Sequence, residues 1–318
     1  MQTKVTMRNN RQPVLSLIIA AYNVQDEIAA TLQSVLTQRR QELEIIIIDD
    51  ASTDATWAHC RRFAAHENVI LHRHTFNRGL SEVRNTGMRM ATGEWLAFLD
   101  GDDQLTPGAI NQMVQTLDST TDLVVFGFQK IRQGNVIQVF KPTNNLQHIY
   151  TGAWNKIYRR QLVRDLLFPP GRFFEDMAFT AIAFLRASHV KVLEAPLVKY
   201  CVRDSSITQS STVVKHVDVV AVLQQLVDYR TDVAQPQDVP AINMLLNKQL
   251  FSHMFQVLRY RQVSLKDKVG VLRRLCQAKR RWQTGWQFDD EWRRQCKDVL
   301  IWLAGSALVL CWSAKGGE

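Results

Sequence analysis

The chain has 318 residues, 46% of them hydrophobic and 22% charged, and carries a formal net charge of +9. That length allows one large or two ordinary domains with a substantial core, and the balance excludes a disordered chain and an obvious membrane protein. Five scattered cysteines without a CxxC pair indicate neither a disulfide framework nor a zinc site and fit a reducing cytoplasm.

Residues 1–12 read as a polar tail without the apolar run of a secretory signal. From residue 13, short apolar runs alternate with helical patterns. VLSLIIA (14–20), LEIIII (43–48), VILHRH (69–74), EWLAFL (94–99) and DLVVFGF (122–128) are strand-length and rich in branched or aromatic residues. The second and fourth are nearly continuous apolar runs, as expected of strands covered on both faces. Between the runs, Ile28, Leu32 and Val35 recur at helical spacing within 26–38. Trp57, Cys60 and Phe63–Ala64 do so after Ser52 or Thr53, either of which could serve as N-cap. Ser81, Val83, Gly87 and Met90 continue the pattern until Gly93. Strands alternating with helices predict βαβ units: an α/β fold with a mostly parallel sheet flanked by helices.

Past residue 210 the strand signals fade, and 213–230, 240–260, 264–281 and 288–312 read as helices interrupted by PQDVP (236–240). The expected organisation is an α/β domain over 13–210 and a helical, basic region over 211–318. Residues 251–318 hold thirteen Lys and Arg against six Asp and Glu, together with Trp282, Trp286, Trp292, Trp302 and Trp312. Such a region either seeks a polyanion (nucleic acid, an anionic membrane face, a phosphorylated substrate) or is simply a solubilising face. Indole with Lys and Arg favours a membrane interface. The apolar stretch 299–312 is shorter than the ~20 residues that span a bilayer, so a buried or interfacial helix is expected there.

In open α/β sheets, ligands bind beyond the carboxyl ends of the strands. The first run is followed by Ala20-Ala21-Tyr22-Asn23, the second by Asp49-Asp50-Ala51-Ser52-Thr53-Asp54, and the fourth by Asp100-Gly101-Asp102-Asp103. Two acidic clusters therefore end strands on one edge of one sheet. Turn formation or helix capping competes as a reading, most strongly for Ser52 and Asp54. No GxGxxG or GxxxxGK[ST] loop is present, so a bound diphosphate would need other neutralisation. A divalent cation, Mg²⁺ or Mn²⁺, on Asp102 would supply it. Glu175 and Asp176 lie between aromatic residues in RFFEDMAFT (172–180). They suit either a helix N-terminus or a carboxylate tuned to act as general base.

The series LSLIIAAYN, EIIIIDDASTD, NRGLSEVRNTG, FLDGDD, AWNKIYRR and FEDMAFT, in this order, resembles the family-2 inverting glycosyltransferases of the GT-A fold. It is particularly similar to the bacterial branch that builds lipopolysaccharide, capsule and exopolysaccharide. The resemblance covers about residues 13–210. It implies that Ala20, Tyr22 and Asn23 with Asp50 hold the nucleotide base and ribose, supported by Asp54. Asn77, Gly79 and Arg84 would close over the nucleotide-sugar, and Asp100 would contact its ribose or sugar. Asp102 would hold the metal that bridges the diphosphate. Asp176 would be the general base and Glu175 its neighbour. Trp154, Asn155 and Lys156 would line the acceptor side, and Arg203, Ser206 and Thr208 would approach the diphosphate. Gly101 stands where the family usually has a short residue such as Ser, implying a more pliable loop, and Val83 stands where it often has Ala.

The implied partners are a nucleotide-sugar donor, expected to be a UDP-sugar, and a saccharide or lipid-linked saccharide acceptor. The implied place is cytoplasmic, with peripheral contact to an anionic membrane through the basic helices. A nucleic-acid-binding protein is disfavoured, because an acidic sheet edge repels a phosphate backbone and no recognised binding motif is present. A catalytically inactive sugar-nucleotide sensor is the other alternative, against which stands the full set of acids in order.

Overall fold

A computed structural model of the chain describes residues 13–38, 40–202, 213–260 and 263–284. Four strands begin the sheet: β1 (Leu15–Ala21), β2 (Leu43–Asp49), β3 (Val69–Arg73) and β4 (Trp95–Asp100). They lie side by side in the order β3-β2-β1-β4, all parallel, on the runs that the sequence marks. β2 is buried along its whole length, because its near-continuous apolar run lets both faces be covered. The connecting helices are α1 (Ile28–Leu36), α2 (Thr56–Arg61) and α3 (Leu80–Met90). α1 buries Ile28, Leu32 and Val35, the residues that set its period.

The N-cap of α2 is Ala55, not Ser52 or Thr53. Those two are drawn across to the first loop instead: the Ser52 hydroxyl accepts from the Asn23 N–H at 3.1 Å, and the Thr53 N–H donates to Asn23 Oδ1 at 2.9 Å. The start of α2 is served by Asp54, whose Oδ1 accepts from the Thr56 N–H at 2.9 Å.

Beyond β4 the sheet is mixed. It is completed by β5 (Gln104–Leu105), β6 (Leu123–Arg132), β7 (Asn135–Phe140), β8 (Lys156–Arg159) and β9 (Val190–Cys201). From β4 the order runs β8-β6-β9-β5, with β7 on β6. β8 is antiparallel to both β4 and β6, whereas β6 and β9 are parallel. Apolar periodicity alone does not announce β8, which has four residues, or β9, which carries Lys, Glu and Pro and is mostly half-buried. Two more helices, α4 (Ala109–Thr116) and α5 (Asp176–Arg186), complete the flanks. Phe98 meets Phe168 edge-on at 5.4 Å, and Phe168 stacks on Phe179 at 4.0 Å. These three rings belong to the hydrophobic core.

The chain divides into two compact units, Met1–Ser210 with Ala221–Ala234 and Ser211–Val220 with Gln235–Glu318. Helix α6 (Asp218–Asp232) falls largely in the first. The described part of the second holds α7 (Val239–Arg259) and α8 (Leu265–Trp282). Pro240 falls in the first turn of α7, where a missing N–H breaks no helical bond, so PQDVP starts a helix as well as separating two. α8 buries Val271, Leu275, Ala278 and Trp282 on one face and leaves Arg273, Arg274, Arg280 and Arg281 exposed. Trp282 is therefore a core residue, not a headgroup anchor. Trp286, Trp292, Trp302, Trp312 and the helix expected over 288–312 lie outside the described residues. Among the described residues no helix is long and apolar enough to cross a membrane.

Candidate active site

Strand register brings the acidic clusters together. Across β1, Ala21 lies opposite Asp49 and Ala20 opposite Asp100. The ends of β2 and β4 thus flank the end of β1 at one level, where such sheets bind ligands. The loop after β1 is laced to the acidic turn by the Asn23 bonds and by the Val24 N–H, which donates to Thr56 Oγ1 at 2.8 Å. Asn23 takes a left-handed φ of +48°, which Asn tolerates better than most residues. Tyr22, the residue before it, is exposed.

Asp50 is buried, and its carboxylate holds a loop. Oδ1 accepts from the Arg78 N–H at 2.9 Å and lies 2.6 Å from His74 Nδ1, while Oδ2 accepts from the Gly79 N–H at 2.7 Å. The residue expected to face a nucleobase thus anchors the segment that carries exposed Asn77 and the left-handed Gly79. Asp54 is partly buried. Burial pushes its carboxyl up, but hydrogen bonds from Thr56 and the Gln25 N–H outweigh this and hold it below the usual carboxylate range.

The turn after β4 is tightly packed. The Gly101 N–H donates to Ala20 O at 2.8 Å, and Thr31 Oγ1 of α1 donates to Gly101 O at 2.8 Å. A Cβ at position 101 would sit 2.6 Å from Ala20 O. Gly101 is therefore required by close approach, not by pliability. Asp103 is buried and its Oδ1 accepts from the Cys201 N–H at 2.8 Å, tying this turn to the end of β9. Asp102 is half-buried.

Glu175 and Asp176 lie at the start of α5, Glu175 as its N-cap. The helix-terminus and acid-site readings of this pair are thus compatible. Phe174, just before them, has φ +63°, an uncommon conformation for a bulky residue that costs on the order of 1 kcal/mol or more and clusters at functional sites. Glu175 Oε1 accepts from Arg84 Nη1 at 2.5 Å, and Arg84 Nη2 donates to Asp100 Oδ1 at 3.0 Å. The Arg84 guanidinium also lies over the Phe168 ring at 5.4 Å. Arg84 is only 2% exposed. It is a buried bridge between two acidic clusters. Burial alone would lower its pKa, but Asp100, Glu175 and Asp176 raise it, so it remains a cation.

The Asp176 carboxyl makes no hydrogen bond among the described residues. Burial, with the neighbouring Glu175 and Asp100 carboxylates, pushes it up to about 7 against the opposing pull of Arg84 and Lys156. Lys156 is fully buried, and its Nζ donates to Tyr150 O at 2.6 Å, Gly152 O at 2.8 Å and Asn155 Oδ1 at 2.6 Å. Burial pushes its ammonium down to about 7, with Asp176 acting the other way. Asn155 Nδ2 donates to Phe126 O at 3.1 Å, and Trp154 stacks on Tyr200. Trp154, Asn155 and Lys156 are thus buried, and Lys156 supports the segment from Tyr150 to Gly152. Arg203, Ser206 and Thr208 lie outside the described residues. The roles of His74 and of Arg84 as a bridge have no signal in the sequence around them, because both arise from tertiary contacts.

Among the described residues no group of three or more His, Cys, Asp or Glu could hold a metal ion. The acids do fit an ion that completes its shell on a substrate. Asp100, at the end of β4, and Asp102, in the turn after it, are both carboxylates and so hard-oxygen ligands of the right kind. Mg²⁺ and Mn²⁺ are commonly held by one or two carboxylates together with substrate phosphates.

A family profile described as Glycosyl transferase family 2 matches residues 16–179, a stretch that contains every acid above. The putative glycosyltransferase EpsH of Bacillus subtilis (strain 168) is 32% identical over 217 residues, covering 62% of this chain and 63% of that protein. The UDP-Glc:alpha-D-GlcNAc-diphosphoundecaprenol beta-1,3-glucosyltransferase WfaP of Escherichia coli is 36% identical over 115 residues, 36% of this chain and 45% of its own. The chain thus spans less than two thirds of the length of these relatives. Among solved structures, residues 1–349 of S. aureus TarS in complex with UDP superpose with a TM-score of 0.65 at 21% identity, over 83% of this chain and 80% of that one. That likeness establishes the fold.

Proposed function

The chain belongs to glycosyl transferase family 2, and from that premise we propose that it moves a sugar from a UDP-sugar to a saccharide acceptor in cell-surface polysaccharide synthesis, inverting the anomeric carbon. The observation that carries this reading is the bridge of Arg84 from Asp100 to Glu175. By tying Glu175 to Asp100 it supports a place near the strand ends for the adjoining Asp176, a carboxylate with no hydrogen bond of its own among the described residues. Asp176 takes the proton from the acceptor hydroxyl as its oxygen bonds to the anomeric carbon, while the bond from that carbon to the diphosphate oxygen breaks. One displacement with one base inverts the configuration, and no carboxylate nucleophile is needed. Tyr22 and the Asn23 loop flank the nucleotide, and Asp100, oriented by Arg84, meets its ribose or sugar. Asp102 would hold a divalent cation, which when bound supplies charge stabilisation to the departing diphosphate.

The named donor of WfaP and the UDP bound by TarS support a UDP-sugar. The diphosphoundecaprenol acceptor in the WfaP name supports a lipid-linked acceptor. The exposed basic face of α8 suits an anionic membrane surface where such acceptors lie. In this reading the first unit, built on 13–210 and including most of α6, is the transferase, and the second is its helical appendage.

The test is nucleoside diphosphate release from a panel of sugar nucleotides, with and without Mn²⁺. Release from a UDP-sugar, weakened by EDTA and by Asp102→Ala, is expected. Release unaffected by either would remove the cation from Asp102, and no release from any donor would leave the sensor reading in its place.

A further inference from the structure

A half-exposed aromatic ring stands beside the carboxylates with no role in the chemistry above. Tyr150 is 41% exposed, yet its ring is fixed by Phe128 at 4.8 Å, Trp154 at 5.4 Å and Phe140 at 5.9 Å between centroids. Trp154 stacks nearly flat on Tyr200, with 4° between planes, and the next residue, Cys201, donates its N–H to Asp103 Oδ1. This cluster of rings therefore adjoins the turn that carries Asp100 and Asp102.

The backbone under the ring is fixed as well. Lys156 Nζ clamps the carbonyls of Tyr150 and Gly152. A Cβ at position 152 would come 2.5 Å from a Tyr150 ring carbon, so this packing of the ring demands glycine there. The Tyr150 hydroxyl makes no hydrogen bond among the described residues. Its pKa is raised by burial and by Tyr200, and also by Asp176, Asp103 and Asp100 in that order. The carboxylates of the site thus act on it, Asp176 foremost.

A half-exposed aromatic ring held by its neighbours, next to carboxylates, has the makings of a pyranose subsite. The axial C–H groups of a sugar ring carry slight positive charge and suit the negative face of the ring, while carboxylates take up the hydroxyls. The low ordering cost of a ring already held by three neighbouring rings favours such a contact. We propose that Tyr150 is the stacking platform of the acceptor subsite, holding the pyranose whose hydroxyl Asp176 deprotonates. This rests on the reading of Asp176 as the base. Neither Trp154 nor Lys156 touches the sugar; both hold Tyr150.

Saturation-transfer NMR with a panel of octyl pyranosides, in the presence of UDP and Mn²⁺, reads contact with the sugar ring directly. The full chain and its Tyr150→Phe variant should transfer saturation to the ring protons of at least one pyranoside. Tyr150→Leu, which keeps apolar bulk without an aromatic face, should lose the signal by about five-fold. UDP affinity, measured by calorimetry on all three proteins, should be unchanged. Undiminished transfer in Tyr150→Leu, lost transfer in Tyr150→Phe, or no transfer from the wild type while UDP binds would each overturn the platform. Failure of the wild type to bind UDP would overturn the transferase reading, and the platform with it.

Discussion

Arg84 and Glu175 lie 91 positions apart in the chain and meet at 2.5 Å, with Asp100 on the other arm of the same guanidinium. One buried cation thus serves two acidic clusters that strand register and the start of α5 deliver separately. Removing one member of a buried, hydrogen-bonded ion pair typically costs about 3–5 kcal/mol, because the partners stay buried without compensation. Arg84→Met should therefore destabilise the transferase unit by that order in denaturant unfolding, and sugar transfer should be lost. Arg84→Lys should recover little, since an ammonium cannot reproduce a fork that reaches both acids.

The pH dependence of transfer should report Asp176. As general base it works only when ionised, and its carboxyl is raised to about 7 by burial, Glu175 and Asp100. The rate at limiting acceptor should rise with pH through about 7 and then level off. Glu175→Gln removes a like charge from beside it and should move that acid limb to lower pH. Stability should run the opposite way. A carboxyl whose folded pKa is raised binds its proton more tightly in the folded chain, so stability falls as pH rises from about 4 to about 7. Asp176→Asn should flatten that part of the melting-temperature profile and abolish transfer without loss of UDP binding.

The turn after β4 gives a third expectation. Gly101→Ser places a Cβ within 2.6 Å of Ala20 O, with Val24 and Ile28 also close at 3.2 and 3.3 Å. Overpacking of this kind costs about 1–3 kcal/mol. A lower denaturation midpoint and weaker metal-dependent nucleotide binding should appear together, since the same turn carries Asp102. An unchanged midpoint would mean that the backbone yields easily there.

The acids and their strands were legible in the sequence, while the contacts that organise them were not. β1 to β4 are marked by strand-length apolar runs, nearly continuous in β2 and β4 as strands covered on both faces require, and Asp50, Asp100 and Asp102 are visible because they follow those runs. β8 and β9 are short or half-buried, so tertiary pairing decides them where periodicity cannot. The same limit applies to side chains. Nothing near Arg84 in sequence shows that it faces Glu175, and nothing near Asp50 shows that it takes the N–H groups of Arg78 and Gly79. Trp282 illustrates the converse: composition groups it with the basic surface, whereas its spacing from Val271, Leu275 and Ala278 puts it in the core.

Lys156 should prove structural in its effect on the loop and electrostatic in its effect on the base. Lys156→Met fills the space but leaves the Tyr150 and Gly152 carbonyls without their donor, at about 1–3 kcal/mol for each acceptor that stays buried. It also removes a positive charge that favours ionised Asp176, so the acid limb of the pH–rate profile should move up. That is the opposite of the shift expected for Glu175→Gln. A variant that is destabilised but keeps the wild-type profile would restrict Lys156 to the loop.

The basic face of α8 allows a prediction that does not depend on the chemistry. Arg273, Arg274, Arg280 and Arg281 are exposed on a helix whose apolar face is already buried within its own unit. With that face occupied, attraction to a membrane through α8 must be electrostatic, not insertional. Each basic residue near an anionic surface contributes about 1 kcal/mol, and the attraction is screened within a Debye length of about 10 Å at 0.1 M salt. The full chain should co-sediment with phosphatidylglycerol vesicles at low salt and release as salt rises, and neutral phosphatidylcholine vesicles should not bind. Replacing the four arginines by Gln should weaken co-sedimentation while leaving the UDP affinity of the transferase unit as it was. Binding that survives both high salt and these substitutions would place the contact elsewhere in the chain, on a surface that works by apolar burial.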